Sequence, residues 1–261
     1  MEFTRPRVYH VGQTSVDEMG LAAYLEDIGA PEWQTDAVTG AEKLVEVMGR
    51  GCYNSYAVGL NANVTKVRQG NASYIKNILE SKHGSVLEHA TDSYMIFCSR
   101  AVTHQIVRAR VGVAYSQASL HFIRIDALSS WFPAVFEDHP RVDEIRALYK
   151  SKFEDLEVAQ LELAKLVDID AQPFHVKKAL TTAMRRLSPI GLETMLGITA
   201  KHRSFRWMIE QRTSRFNDQE IRLVFGLVFA QQSERYPTIY ADAKVERIDG
   251  FDEVVFSNSK V

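Results

Sequence analysis

Apolar positions recur at helical spacing along much of the chain. Leu44, Val45, Val47 and Met48 follow Thr39 and Glu42, a capping box, and predict a helix ending near Gly49–Gly51. A second helix is expected from about Asn71 through Ile75, Ile78 and Leu79 to about Lys82, with Gly84 releasing the chain. The run SYMIFC, residues 93–98, reads as a buried strand. Ser99 is then placed to cap a short helix carrying Arg100, His104 and Arg108. Spaced at i, i+4 and i+8, those three span only ~80° of helix surface. Residues 143–167 carry the longest helical pattern, acidic on its outer side, and Pro173 suits the first turn of another helix running to about Arg186. Thr194, Leu196 and Ile198 alternate as in a strand, and Phe205, Met208, Ile209 and Arg212 then share one helical face. Asn217 and Glu220 form a capping pair before a last stripe, Ile221, Val224, Phe225 and Val228. With no repeat, low-complexity tract or linker, the pattern describes one α/β domain.

Composition adds bounds. The 261 residues, 46% hydrophobic and 25% charged, suffice for a core without disulfide staples. A net charge of −2 excludes a generally basic nucleic-acid coat. Cys52 and Cys98 form no metal or redox motif and suit a reducing compartment. No apolar run reaches the ~20 residues of a membrane span, and MEFTRPRVYHVGQ lacks the apolar centre of a signal peptide. The expectation is a cytoplasmic protein.

The near-zero balance hides segregation. Residues 93–125 hold no acid but include Arg100, Arg108, Arg110, Arg124, His104 and His121. Residues 172–192 are also acid-free, with Lys177, Lys178, Arg185 and Arg186, as are residues 194–209, with Lys201, Arg203 and Arg206. Converging, these stretches would make a local anion site, better suited to a phosphate-bearing small molecule than to a duplex. The alternative is chance clustering of exposed arginines. Arg212 sits on an apolar stripe, where a guanidinium requires an anion or several acceptors. An ion pair with Glu210 or Glu220, or a side chain reaching out to water, remains the competing account. There is no G-x-G-x-x-G, no P-loop and no H-E-x-x-H, and His83 and His89, six apart, are poorly spaced for a metal, so none is expected. Cys98, inside an apolar run, reads as core rather than as a nucleophile.

Three segments read whole go further: G-R-G-C-Y-N-S (49–55), H-G-S-V-L-E-H-A (83–90) and S-R-A-V-T-H-Q-I-V-R-A-R…Y-S-Q-A-S-L-H-F (99–122). With R-R-L-S-P (185–189), K-H-R-S-F (201–205) and E-Q-R-T-S…D-Q-E-I-R (210–222), they resemble the consecutive blocks of the flavin-dependent thymidylate synthases, the ThyX family, over roughly residues 35–245. The resemblance implies a homotetrameric α/β fold with a mixed or antiparallel sheet and long helices, binding FAD and a uridylate where subunits meet. It implies methylenetetrahydrofolate as carbon donor and NADPH as reductant, and no catalytic cysteine. By position it places His83, Ser85, Arg108, Arg110, Lys201 and Arg203 on the flavin. Arg100, Gln105 and Arg185 fall on positions holding the nucleotide, chiefly its phosphate. Gln117, Ser119 and His121 fall on the loop cradling pyrimidine and sugar. Arg212 matches the arginine at the uracil edge, where it would polarise a carbonyl, with Ser119 as a positioning hydrogen-bond donor.

The chain departs from the family pattern at several of these positions. The R-H-R signature reads Arg108-Ala109-Arg110, and V-G-V-A before Tyr115 is one residue longer than the family spacing. R-Y is His121-Phe122, the asparagine of N-x-R is Lys201, and a later flavin-contacting asparagine is Trp207. Arginine to histidine beside the nucleotide removes a fixed planar fork. The sequence thereby resembles the divergent ThyX-like proteins of nucleoside-antibiotic pathways, which accept UMP. Three further readings compete: an ordinary dUMP-specific thymidylate synthase, an inactive flavin- or nucleotide-binding relic, and a single-stranded RNA binder. The retained arginines argue against the relic, and the charge balance against RNA.

Overall fold

The centre of the computed structural model, which describes residues 1–120 and 129–258, is an antiparallel pair of nine-residue strands. These are β3 (Thr91–Ser99) and β6 (Glu193–Lys201), with Tyr94 opposite Ile198 and Ile96 opposite Leu196. Flanked by β2 (Arg7–Gln13) and β4 (Val113–Gln117), they form a four-stranded antiparallel sheet ordered β2-β3-β6-β4. Short parallel strands β1 (Glu2–Phe3) and β5 (Ser129–Ser130) pair separately, and β7 (Ala243–Ile248) with β8 (Phe251–Phe256) makes a hairpin. The helices are α1 (Glu18–Asp27), α2 (Gly40–Tyr53), α3 (Asn71–Glu80) and α4 (Arg100–Ile106). They continue with α5 (Val142–Leu166), α6 (Phe174–Met184), α7 (His202–Thr213) and α8 (Gln219–Arg235).

The mixed α/β architecture matches the sequence expectation. SYMIFC is a strand, but it is buried only at alternate positions: Tyr94, Ile96 and Cys98 face the core while Met95 and Phe97 stay half-exposed. Strand geometry sends neighbours to opposite faces, and only one face of this sheet is covered within the protomer. The covering layer is α7 and α8, whose Phe205, Ile209, Ile221, Val224, Phe225 and Val228 are each at 0% exposure. Burying each such side chain contributes ~1.5–3 kcal/mol, which explains why the last two stripes were legible.

Several boundaries differ from the expectation, each for a local reason. Thr39 does cap α2, accepting from the Glu42 N–H at 3.2 Å, but the helix runs past Gly49 and Gly51 to a left-handed Asn54. Pro173 is the residue before α6 rather than inside its first turn. Arg108 lies beyond the end of α4, so the expected Arg100–His104–Arg108 helical row is cut short. Asp218, not Asn217, caps α8; its carboxylate accepts from the N–H groups of Glu220 and Ile221. Pattern reading missed β2 and the β7–β8 hairpin, although Asp249-Gly250, with φ of 52° and 80°, is the D-G hairpin signal.

Candidate active site

The site is built around α4. Ser99 accepts from the Val102 N–H at 3.3 Å, and buried Glu220, reaching across from α8, accepts from both the Ser99 N–H and its hydroxyl. Two helices are thereby joined at the residue before Arg100. Burial pushes the Glu220 carboxyl up, against the opposing pull of the two Ser99 hydrogen bonds. The first two amides of α4 are spent on the 190s segment, Arg100 N–H on Leu192 O and Ala101 N–H on Ile190 O, both at 2.9 Å. At the other end, the Tyr115 hydroxyl donates to the carbonyls of Ile106 (2.9 Å) and Ala109 (2.6 Å). Gln117 ties β4 to the helix through Thr103 Oγ1 at 2.9 Å.

Two pairs of cations converge on this frame. Arg100 lies close enough to Arg185 that burial, and then mutual repulsion, lower its pKa. Its Nη1 is buried with no hydrogen-bond partner among the described residues. Arg212 donates to Gln105 O at 3.0 Å, and burial followed by repulsion from Arg108 lowers its pKa. Among the described residues no carboxylate pairs with Arg212, so neither Glu210 nor Glu220 neutralises it. A partly buried cation beside a second cation is costly unless an anion arrives. This half of the site therefore fits a phosphate at Arg100–Arg185 and an electron-rich group at Arg212.

A second cluster lies at the start of α7. Glu88 accepts from Lys201 Nζ at 2.8 Å and Arg203 Nη1 at 2.6 Å, and those bonds hold its carboxyl below the usual range. His83 and Ser85 stand on the same short turn as Glu88 (Gly84–Glu88), and the His83 ring stacks on Tyr53 with centroids 5.9 Å apart. The turn after Arg110 packs onto this cluster. Gly112 (φ 67°) accepts the Lys201 N–H at 3.2 Å, and the Ser204 hydroxyl donates to Val111 O at 2.8 Å. A Cβ on Gly112 would stand 2.8 Å from Ser204 Oγ, so the longer V-G-V-A segment is accommodated by a turn only glycine fits. Exposed Arg108 and Arg110, with Lys201, Arg203 and the uncapped start of α7, form a donor set that fits an anionic cofactor such as FAD.

The sequence-derived residues thus fall into two neighbouring groups linked by the 108–112 turn. Ser119 is half-buried in the loop after β4, and His121 lies outside the described residues. Ala109, where the family signature has histidine, is a core residue at 5% exposure. Arg206 leaves the candidate set: it is 1% exposed, pairs with Asp242 at 2.8 Å and lies over the Phe256 ring, a structural role. Sequence reading missed Glu220 as the anchor of α4; its i+3 relation to Asn217 drew it into a capping role instead. Among the described residues no group of three or more His, Cys, Asp or Glu is arranged to hold a metal, and no helix is long and apolar enough to cross a membrane.

An antiparallel sheet backed by helices thus carries two guanidinium pairs whose chemistry fits anionic groups. The chain matches the thymidylate synthase complementing protein family over residues 35–238 and belongs to it. It is 32% identical over 248 residues to the flavin-dependent thymidylate synthase of Mycobacteroides abscessus, covering 91% of this chain and 94% of that one. To the enzyme of the same name from Mycobacterium avium it is 33% identical over 232 residues, covering 86% and 88%. In fold it is similar to the UMP/dUMP methylase PolB from Streptomyces cacaoi bound with 5-Br dUMP. The TM-score is 0.62 at 14% identity, over 92% of this chain and 96% of that one. The protein is thus an enzyme of the methyltransferase type that these synthases represent.

Proposed function

We propose that the chain catalyses flavin-dependent reductive C5-methylation of a uridylate, UMP and/or dUMP, with methylenetetrahydrofolate as carbon donor and NADPH as reductant. The observation that carries this reading is the buried Arg100 Nη1, which has no hydrogen-bond partner among the described residues and stands beside Arg185. An unsatisfied buried charge costs stability, and a monophosphate bound there would satisfy it with charge-assisted hydrogen bonds. The same cost argues against a ligand-free relic, which would gain stability by losing the charge.

In this reading Arg100, Arg185 and Gln105 hold the phosphate end, and Gln117, Ser119 and His121 fix the pyrimidine and sugar. Arg212, already seated against Gln105 O, directs its remaining donors at the uracil carbonyl and draws charge towards O4, raising electron density at C5. Ser119 orients the ring by hydrogen bonding. His83, Ser85, Arg108, Arg110, Lys201 and Arg203 hold FAD, which supplies the redox chemistry when bound. The half-exposed second face of the sheet, with Tyr9 at 51% and Val11 at 58% exposure, supports assembly as a homotetramer. The dUMP-specific reading is favoured by relatives 29–33% identical that are named thymidylate synthases. Purified protein loaded with FAD, NADPH and methylenetetrahydrofolate is offered UMP and dUMP separately, and products are identified by mass. A methylated uridylate from either supports the proposal and ranks the acceptors; no methylation of either, in protein that carries flavin, refutes it.

A further inference from the structure

Thr103, 0% exposed in the middle of α4, joins two residues that the proposed function sets at different ends of the nucleotide, Arg100 and Gln117. Its hydroxyl donates to the Arg100 carbonyl at 3.0 Å, the way a helical threonine commonly spends its proton. A hydroxyl has one proton and two acceptor lone pairs. With that proton committed, Thr103 Oγ1 meets Gln117 Nε2 at 2.9 Å as an acceptor, so the Gln117 amide turns its NH₂ group towards the helix. The amide is planar, and its Oε1 therefore stands on the side away from Thr103, where it accepts from no donor among the described residues.

The reverse orientation is worse. With Oε1 turned inwards, the Gln117 oxygen and the Arg100 carbonyl would compete for a single hydroxyl proton, and the loser would face lone pairs. The backbone that carries Gln117 is also held in place. Alternate residues of a strand share a side, and in β4 Val113, Tyr115 and Gln117 are half-buried while Ala114 and Ser116 are exposed. Tyr115 fastens that side of the strand to Ile106 O and Ala109 O at the end of α4. Beyond Gln117, the Ala118 N–H stays on the sheet, bonded to Met195 O at 3.0 Å. Gln117 thus leaves the scaffold with a fixed backbone, a fixed amide and one free acceptor.

We infer that Thr103 is a positioning residue that holds Gln117 with its carbonyl oxygen towards the nucleotide, as acceptor for one of the uridylate's own donors, the ring N3–H or a sugar hydroxyl. The inference rests on the proposed function and deepens it, because it names the group through which Gln117 recognises the substrate: an oxygen, not an NH₂. Thr103 itself touches no substrate atom.

The test measures Kd for UMP and dUMP by calorimetry on flavin-loaded protein, without folate or NADPH so that nothing turns over. Thr103→Val keeps the side-chain shape and removes the acceptor. Uridylate affinity is expected to weaken roughly threefold to tenfold, the scale of one hydrogen bond, and Thr103→Ser to restore it. Gln117→Leu is expected to weaken binding at least as much, and Thr103→Val added to it to cost nothing further, a coupling that a purely structural threonine would not show. Two analogues locate the donor, N3-methyl-dUMP and 2′,3′-dideoxyuridine monophosphate; the one lacking it binds equally to wild type and to Thr103→Val. Unchanged affinity in Thr103→Val, additive losses in the double variant, or full sensitivity with both analogues overturns the inference. Should Thr103→Val not fold, Gln117→Leu read against the same two analogues decides in the same way. A wild type that binds neither UMP nor dUMP overturns the inference and the proposed function together. Uridylate binding with the expected coupling but no methylation would overturn the proposed reaction and leave the positioning role standing.

Discussion

Replacing Arg212 by alanine separates a catalytic arginine from a structural one. Among the described residues Arg212 makes one hydrogen bond, to Gln105 O, worth ~0.5–1.5 kcal/mol. Against that stand the desolvation of its charge and the repulsion from Arg108, both relieved by truncation. The net change in stability should stay within about 1 kcal/mol, a Tm shift of no more than ~2–4 °C for a chain of this size. If Arg212 polarises the uracil carbonyl, the same change removes a preorganised donor from the developing charge and lowers kcat by ~10²–10³. Arg206→Ala is the opposite case. It strands Asp242 after breaking a pair in which the guanidinium is 1% exposed, at a cost of ~3–5 kcal/mol and a Tm loss on the order of 10 °C. Paired thermal melts and single-turnover rates of both variants make the comparison. Near-normal turnover in Arg212→Ala, or a rate loss that merely tracks the unfolded fraction, would refute the assignment.

The other expectations follow from particular side chains. Arg100→Met removes the unsatisfied Nη1 and the repulsion from Arg185, so Tm should hold or rise while uridylate Kd weakens roughly tenfold or more; a fall in Tm with unchanged Kd would place Arg100 in the scaffold. Fully buried His202 has its pKa pushed down to about 4 by burial, with Asp92 opposing and His10 and Arg206 reinforcing. A folded-state value below the unfolded one means stability present above pH ~6.5 is lost as pH falls towards 4, by up to ~3 kcal/mol. His202→Asn should flatten that window in urea melts, and an unchanged slope would show that another group carries it. Gly112→Ala should cost ~1–2 kcal/mol, since its φ of 67° is left-handed and the added methyl meets Ser204; flavin retention measured by absorbance should fall with it, and an unaltered melt would refute the tight-turn reading.

How much of this was legible in the chain depended on whether a residue's partners were local. Capping at Thr39 and Ser99 and the stripes of α7 and α8 involve residues within one or two turns, and those were readable. β2 was not, because an edge strand buried on one side alternates weakly: Val8 is buried while Tyr9 and Val11 are exposed. Glu220 was misread because its partner Ser99 is 121 residues away. The family blocks supplied which arginines to examine, a resemblance that no periodicity could replace. What the blocks could not supply was the state of each arginine in the fold.

That state separates the arginines by one physical criterion, whether the cation is already neutralised or saturated by the protein. Arg50 has Glu46 and two carbonyls, Arg206 has Asp242 and Ile239 O, and Arg222 has the carbonyls of Thr213 and Ile248 with the Phe251 ring beneath it. Each of these is at 2% exposure or less, and each joins distant segments. Arg100 and Arg212 are less buried yet worse satisfied, and each is pressed against another cation. Burial alone would rank the first three as the functional set. Unmet electrostatic demand ranks the last two, because a fold retains a destabilising arrangement of charge only where something outside the chain completes it. Arg50→Met should therefore unfold or loosen the 54–68 segment, raising its proteolytic cleavage rate. Arg100→Met should leave that rate unchanged, and a protease assay reversing this order would break the criterion.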